Sequence, residues 1–260
     1  MKIAALQHDI TWEDKDANFA RLRPQIAAAA DKGARLVALP EMFATGFSMA
    51  STTLAEGHDG PSTQFLREQA QTHDIWIGGS IVQRHPTVRL PYNQFVLAGP
   101  GGQVHRYAKM HPFTYHGEHE HYTAGTQSIT VDIEGLRLSP FICYDLRFAD
   151  IFWERAPETD VYLVVASWPA PRRAHWRSLL VARAIENQAY VVGVNRIGSG
   201  GGSDHVGDSM IVDPTGEIVA DAGSQEQAII ADINPSVVAK TRADFPFLAD
   251  RRGPGGGGRD

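Results

Sequence analysis

Two uninterrupted apolar runs, each halted by a proline, do most to limit what this chain can fold into. Residues 35–39 read Arg-Leu-Val-Ala-Leu before Pro40, and residues 160–167 read Asp-Val-Tyr-Leu-Val-Val-Ala-Ser before Trp168 and Pro169. Continuous apolar runs of this length suit strands buried on both faces. Proline cannot extend a central strand, so Glu41 is pushed off the C-terminal end of the first run. In α/β sheets that end is where ligands collect. Further strands are expected at residues 3–7, 75–83, 190–195 and 227–233. Hairpin-like pairs are expected at 92–97 with 103–109, at 129–133 with 136–143, and at 208–212 with 217–220, each around a Gly-containing turn. Between them lie helical stretches. Residues 14–32 place Phe19, Leu22, Ile26 and Ala30 three or four apart, residues 61–73 follow, and residues 173–187 carry Trp176, Leu180 and Ala184 at the same period. Buried strands alternating with helices predict an α/β protein with two sheets and helices outside.

No Pro/Gly/Ser-rich linker interrupts the interior, so residues 1–252 are expected to form a single domain. Residues 253–260, Gly-Pro-Gly-Gly-Gly-Gly-Arg-Asp, are expected to be a flexible tail. With 24 Lys and Arg against 30 Asp and Glu, the formal charge is −6, with no basic stripe, which argues against a nucleic-acid partner. No run approaches eighteen apolar residues and the N-terminus lacks a signal-peptide pattern, so neither a membrane span nor secretion is expected. One cysteine excludes an internal disulfide framework and suits a reducing cytosol, so a soluble cytoplasmic protein is expected.

That cysteine, Cys143, sits in Ser139-Pro-Phe-Ile-Cys-Tyr-Asp-Leu-Arg-Phe148, between the end of a buried strand and an expected helix start at residues 145–150. Backbone N–H groups and the helix dipole at such a junction favour a thiolate, which predicts a lowered thiol pKa. Glu41 and Lys109 close strands in the same way. A thiol nucleophile needs a base, which a carboxylate in a partly dry pocket can be. Attack on a carbonyl or nitrile carbon develops negative charge, which a fixed cation (Lys109) and a backbone N–H (that of Tyr144) can stabilise. Each residue alone has a plainer reading: a glutamate beside a helix start, a surface lysine, a small buried thiol.

Together they carry more. Leu39-Pro-Glu-Met-Phe43, Arg106-Tyr-Ala-Lys-Met-His-Pro-Phe113 and Phe141-Ile-Cys-Tyr-Asp-Leu-Arg-Phe148 resemble the three signature blocks of the nitrilase (carbon–nitrogen hydrolase) superfamily, in its order of Glu, Lys, Cys. The resemblance runs from Ile3 to about Ile233. It implies a four-layer αββα sandwich and a cofactor-free triad. In that triad Glu41 is base and later acid, Lys109 stabilises the tetrahedral intermediate, and Cys143 is the nucleophile. Family members carry a second glutamate after the lysine. Glu118 and Glu120 are available here, and the spacing to Ala124-Gly125 matches Glu118, with a role in orienting Lys109 or assisting water.

The blocks look most like the omega-amidase branch, whose small amide substrates, 2-oxoglutaramate and 2-oxosuccinamate, keep a free carboxylate. Arg147 is a candidate clamp for that carboxylate, or else an ion-pair partner of Asp145 or Asp150. Phe43, Tyr115 and Trp168 are candidate pocket walls, and Tyr144 a substrate contact. The resemblance also implies a homodimer. A nitrilase or another amide or carbamoyl hydrolase of the superfamily is the neighbouring reading. A different class is metal binding by the cluster His105, His111, His116, His119 and His121 with Glu118 and Glu120, although none of these shows the usual helical zinc spacing. A third is a catalytically silent scaffold, against which the complete triad argues.

Overall fold

The computed structural model describes residues 1–252. In chain order the first half holds β1 (Lys2–Gln7), α1 (Lys15–Asp31), β2 (Leu36–Ala38), α2 (Ser51–Leu54), α3 (Pro61–His73), β3 (Trp76–Gln83), β4 (Tyr92–Ala98), β5 (Val104–Ala108) and α4 (Glu118–His121). The second half holds β6 (Val131–Ile133), β7 (Leu136–Ile142), α5 (Ala149–Arg155), β8 (Val161–Ala166), α6 (Arg173–Asn187) and β9 (Tyr190–Asn195). It continues with β10 (Ile197–Gly200), β11 (Ser203–Val206), β12 (Met210–Val212), β13 (Ile218–Asp221), β14 (Gln227–Asp232) and α7 (Pro235–Asp244).

Two six-stranded sheets result, in the orders β14-β1-β2-β3-β4-β5 and β13-β12-β9-β8-β7-β6. Each has a parallel centre, β1-β2-β3 and β7-β8-β9, flanked by antiparallel strands. The period-two alternation of strand side chains decides what each face meets. In the first sheet Ile3, Ala5, Leu36, Ala38 and Phe95 face the second sheet. Their neighbours Ala4, Leu6, Val37 and Val96 face Leu22 and Ile26 of α1 and Phe65 and Leu66 of α3. Tyr107 meets Phe141 edge to face across the seam, ring centroids 5.6 Å apart. On the far side, α5 and α6 cover the second sheet with Phe152, Trp176, Leu180 and Ala184. Gly193 in β9 lets α6 come this close, because a Cβ there would stand 2.4 Å from Leu180. Helix, sheet, sheet and helix make the four expected layers.

Three local expectations need correction. After Cys143 the chain makes a single 3-10 turn, Cys143–Arg147, before α5 begins at Ala149. The side chain of Asp145 accepts from the N–H of Ile142 at 3.0 Å and closes that tight turn. Residues 111–125, which the sequence presents as a polar, His-rich loop, contain a 3-10 turn, Thr114–His116, and the short α4. The hairpin β10–β11 and the helix α7 were not expected. The former is Gly-Ser-rich, without an apolar period, and the latter has weak amphipathic pattern. The expected tail, residues 253–260, lies outside the described residues.

Candidate active site

Glu41, Lys109 and Cys143 leave the C-terminal ends of β2, β5 and β7, two from one sheet and one from the other, and meet at the seam. Beyond Glu41 the backbone turns sharply at Met42 (φ +46°), whose N–H donates to Ser80 Oγ at 2.8 Å. Cys143 is likewise left-handed (φ +47°). Side chains other than glycine rarely adopt this conformation, and strain of this kind persists where the surroundings over-determine it. Lys109 is fixed by its own backbone. Its N–H donates to the Asn93 carbonyl (2.9 Å), and its carbonyl accepts from Gly125 (2.7 Å). A Cβ on Gly125 would stand 2.2 Å from the carbonyl oxygen of Ala108, so no larger residue fits there.

The ammonium of Lys109 is 1 % exposed and donates to Glu41 Oε1 at 2.9 Å and to both oxygens of Glu118 at 3.0 and 2.8 Å. Glu41 Oε2 accepts from the N–H of Ser167 at 2.8 Å. Burial works against the charged lysine, but Glu118 and Glu41 outweigh it and hold its pKa above the usual range. Burial lifts the Glu118 carboxyl, with Lys109 pulling it down and Glu41 pushing it up. Cys143 is half-buried beside them. Burial and then Glu41 push its thiol well above the ordinary range, with Lys109 acting in the opposite sense and Glu118 adding to the rise. The expected lowering is therefore overturned. Two carboxylates already face one ammonium, so the resting site has no room for a third negative charge, and a 3-10 turn replaces the expected helix. The direction of the shift favours the neutral thiol at Cys143, with the Glu41 carboxylate close by.

Two supporting residues escaped the sequence reading. The amide nitrogen of Asn93 donates to Glu41 (2.8 Å) and Glu118 (3.2 Å), holding both carboxylates from one point. Asp145, fully buried, accepts from Tyr107 Oη (2.7 Å) and the N–H of His111 (2.9 Å), tying the Cys143 turn to the segment after Lys109. The polar pair Asn93-Gln94 ahead of the apolar run Phe95–Ala98 was the available signal for Asn93. Asp145 carried none.

A pocket open at its mouth leads to Cys143. Of the candidate walls, Tyr144, Arg147 and Trp168 line it, together with Phe47, Phe113, Arg172, Arg196 and His205. Phe43 does not. It is fully buried under α1 and α3 against Phe19 and Phe65, because the turn at Met42 sends it to the helix side of the sheet. Nor does Tyr115, which is 85 % exposed and leaves the wall to Phe113. Arg147 pairs with neither Asp145 nor Asp150. Its guanidinium lies 4.8 Å from the Trp168 ring centroid, and Nη2 is 3.2 Å from His175 Nδ1. The clustered histidines diverge: His105 packs on Trp76, His111 on Phe148, and His116 near Phe113. Among the described residues no three of His, Cys, Asp and Glu are grouped to hold a metal ion, and no helix is long and apolar enough to cross a membrane.

The sequence profile of the carbon–nitrogen hydrolases matches residues 2–243. The chain belongs to this family. This carbon–nitrogen hydrolase is 40 % identical over 253 residues to the omega-amidase YafV of Escherichia coli, covering 96 % of each chain. It is 34 % identical over 257 residues to a 2-oxoglutaramate amidase of Bacillus subtilis, covering 96 % of this chain and 97 % of the relative. In three dimensions it is similar to a CN-hydrolase superfamily protein of Xanthomonas campestris that carries an arsenic adduct in its active site, with a TM-score of 0.92, 34 % identity and 99 % of both chains covered. A Saccharomyces cerevisiae member of branch 10 of the nitrilase superfamily superimposes with a TM-score of 0.87 at 28 % identity, over 95 % of this chain and 94 % of that one.

Proposed function

We propose that this carbon–nitrogen hydrolase is an omega-amidase that releases ammonia from small amides bearing a 2-oxo acid at the other end, such as 2-oxoglutaramate. The observation that carries the reading is the pocket mouth. Arg147 and Arg172 stand there on the faces of Trp168 and Phe113, at 4.8 and 5.4 Å. Among the described residues neither has a carboxylate within ion-pair distance, so a substrate carboxylate is their natural partner. The names of the relatives agree with this reading.

In the proposed reaction the sulfur of Cys143 attacks the amide carbon while its proton passes to Glu41. The ammonium of Lys109 and the N–H of Tyr144 hold the resulting oxyanion. Glu41 returns the proton to the nitrogen, the C–N bond breaks, and ammonia leaves a thioester on Cys143. Water then attacks the thioester, giving a proton to Glu41, and collapse of the second intermediate releases the carboxylic acid and restores the thiol. Glu118, bonded twice to Lys109, fixes the direction of the ammonium through both steps.

The test is ammonia release from 2-oxoglutaramate by purified protein. Release is expected from the intact chain, and Arg147→Ala should raise KM about 10- to 100-fold, as loss of a charge-assisted contact implies. No release, with a reactive Cys143, would overturn the substrate and keep only a thiol hydrolase.

We also infer a cytoplasmic homodimer that joins through the face bearing α6. Ile185, packed at the Gly216 turn, and Ile218 and Val219 beyond it leave apolar surface exposed on that face. Sedimentation at twice the chain mass, from the soluble fraction of the producing cells, is expected. A single-chain mass or recovery with membranes would sink this inference.

A further inference from the structure

Arg196 closes β9 and is fully buried, yet it lines the pocket. Most of its guanidinium is committed. Nη2 donates to Asp9 Oδ1 (2.9 Å), to the carbonyl of Ile10 (3.2 Å) and to that of Ser199 (3.3 Å), and Nε donates to the carbonyl of Ile197 (3.1 Å). The remaining nitrogen, Nη1, is enclosed and has no partner. On the same wall, His205 of β11 is 8 % exposed and its Nδ1 is also without a partner. Burial pushes His205 down to about 4, so its ring is neutral at physiological pH. Buried polar nitrogens in folded proteins nearly always bond to something, so two orphans on one wall of a substrate pocket mark the place of a polar ligand group.

The charges say which group. Arg196 is already neutralised by Asp9, so its free N–H groups match a neutral acceptor rather than a second carboxylate. Arg147 and Arg172 have no such neutralising partner. The two neighbouring groups of a 2-oxo acid are thereby matched differently: unpaired cations for the carboxylate, a paired guanidinium with spare donors for the uncharged oxygen beside it.

We propose that Arg196 Nη1, on the wall shared with His205, donates to the 2-oxo oxygen of the substrate and sets the preference for 2-oxo acid amides. This assignment rests on the omega-amidase reading above. Arg196 is a binding residue for specificity and takes no part in breaking the C–N bond.

The experiment compares kcat/KM for 2-oxoglutaramate and for glutaramate, which has a methylene in place of the oxo group. The intact enzyme should prefer the oxo substrate by at least ~10²-fold, as a site built around a substrate acceptor does. In Arg196→Lys, which keeps the charge beside Asp9 and lacks Nη1, that ratio should fall toward unity. Gly200→Ala is the second variant. Its Cβ would stand 2.8 Å from Nη1 and 2.9 Å from the Trp12 ring, crowding the planar guanidinium from the Nη1 side, and it should lower the ratio in the same direction even where Arg196→Lys does not fold. Equal turnover of both substrates by the intact enzyme, or equal losses on both in the variants, would overturn the role of Arg196 and leave the omega-amidase reading standing. Failure of the intact enzyme on both substrates would overturn the two together.

Discussion

Replacing Cys143 by alanine should reduce ammonia release by roughly 10⁵–10⁶-fold, the scale on which nucleophile knockouts act in enzymes that form an acyl intermediate. The fold should be untouched. The side chain is small, only half-buried, and leads a turn held by Asp145 rather than by sulfur. Circular dichroism and the melting temperature should therefore match those of the intact protein while turnover vanishes. Turnover within tenfold of normal would remove the thiol from the chemistry. A large fall in melting temperature would mean that the left-handed turn at Cys143 depends on the sulfur itself.

Lys109→Ala should damage both activity and stability. Loss of one donor to the oxyanion costs about 10²–10³-fold in kcat. The structural effect is separate: Glu41 and Glu118, both fully buried, lose the cation they share. Breaking a buried pair by removing one partner costs about 3–5 kcal/mol. The sign with pH follows from Glu118. Burial and Glu41 already raise its pKa and Lys109 is what pulls it down, so the variant raises it further. A carboxyl whose folded pKa lies above its unfolded value binds a proton more tightly when folded. The stability it contributes is complete below the unfolded pKa and is lost as pH rises through the folded one. The melting temperature of Lys109→Ala should therefore fall from mildly acid to mildly alkaline pH more steeply than that of the intact protein. Parallel curves would show that Glu118 does not depend on this lysine for its charge.

The parts of the site that were legible in the sequence share one property: they follow directly on apolar runs. Glu41, Lys109 and Cys143 each close a strand, and the rule that the ligand end of a sheet is its C-terminal end then gathers them. Arg196 closes β9 in the same way and could have been found by the same rule. What could not be read was the direction of a side chain once the backbone departs from regular geometry. Phe43 lies two residues from Glu41, yet the left-handed Met42 sends it into the outer core. Tyr115 and Phe113 are neighbours in one loop, and only Phe113 turns inward. The direction of the thiol's shift could not be read because it is set first by burial and then by Glu41, with Glu118 adding to it, each brought from a distant segment, and not by the helix start that local sequence suggests. Asn93 illustrates the same limit, since an amide near the start of a strand acquires meaning only from the two carboxylates it reaches.

The pairing of β14 with β1 over six successive positions, from Lys2 with Asp232 to Gln7 with Gln227, has a temporal side. The sheet that supplies both Glu41 and Lys109 is open along β1 until residues 227–232 arrive. A nascent chain emerging from the ribosome carries Cys143 early but lacks the strand that completes the opposing sheet until nearly ninety residues later, about the difference between those positions. That strand is the last of its sheet in chain order, so the sheet carrying Glu41 and Lys109 is completed only once residue 232 has been added, late in synthesis.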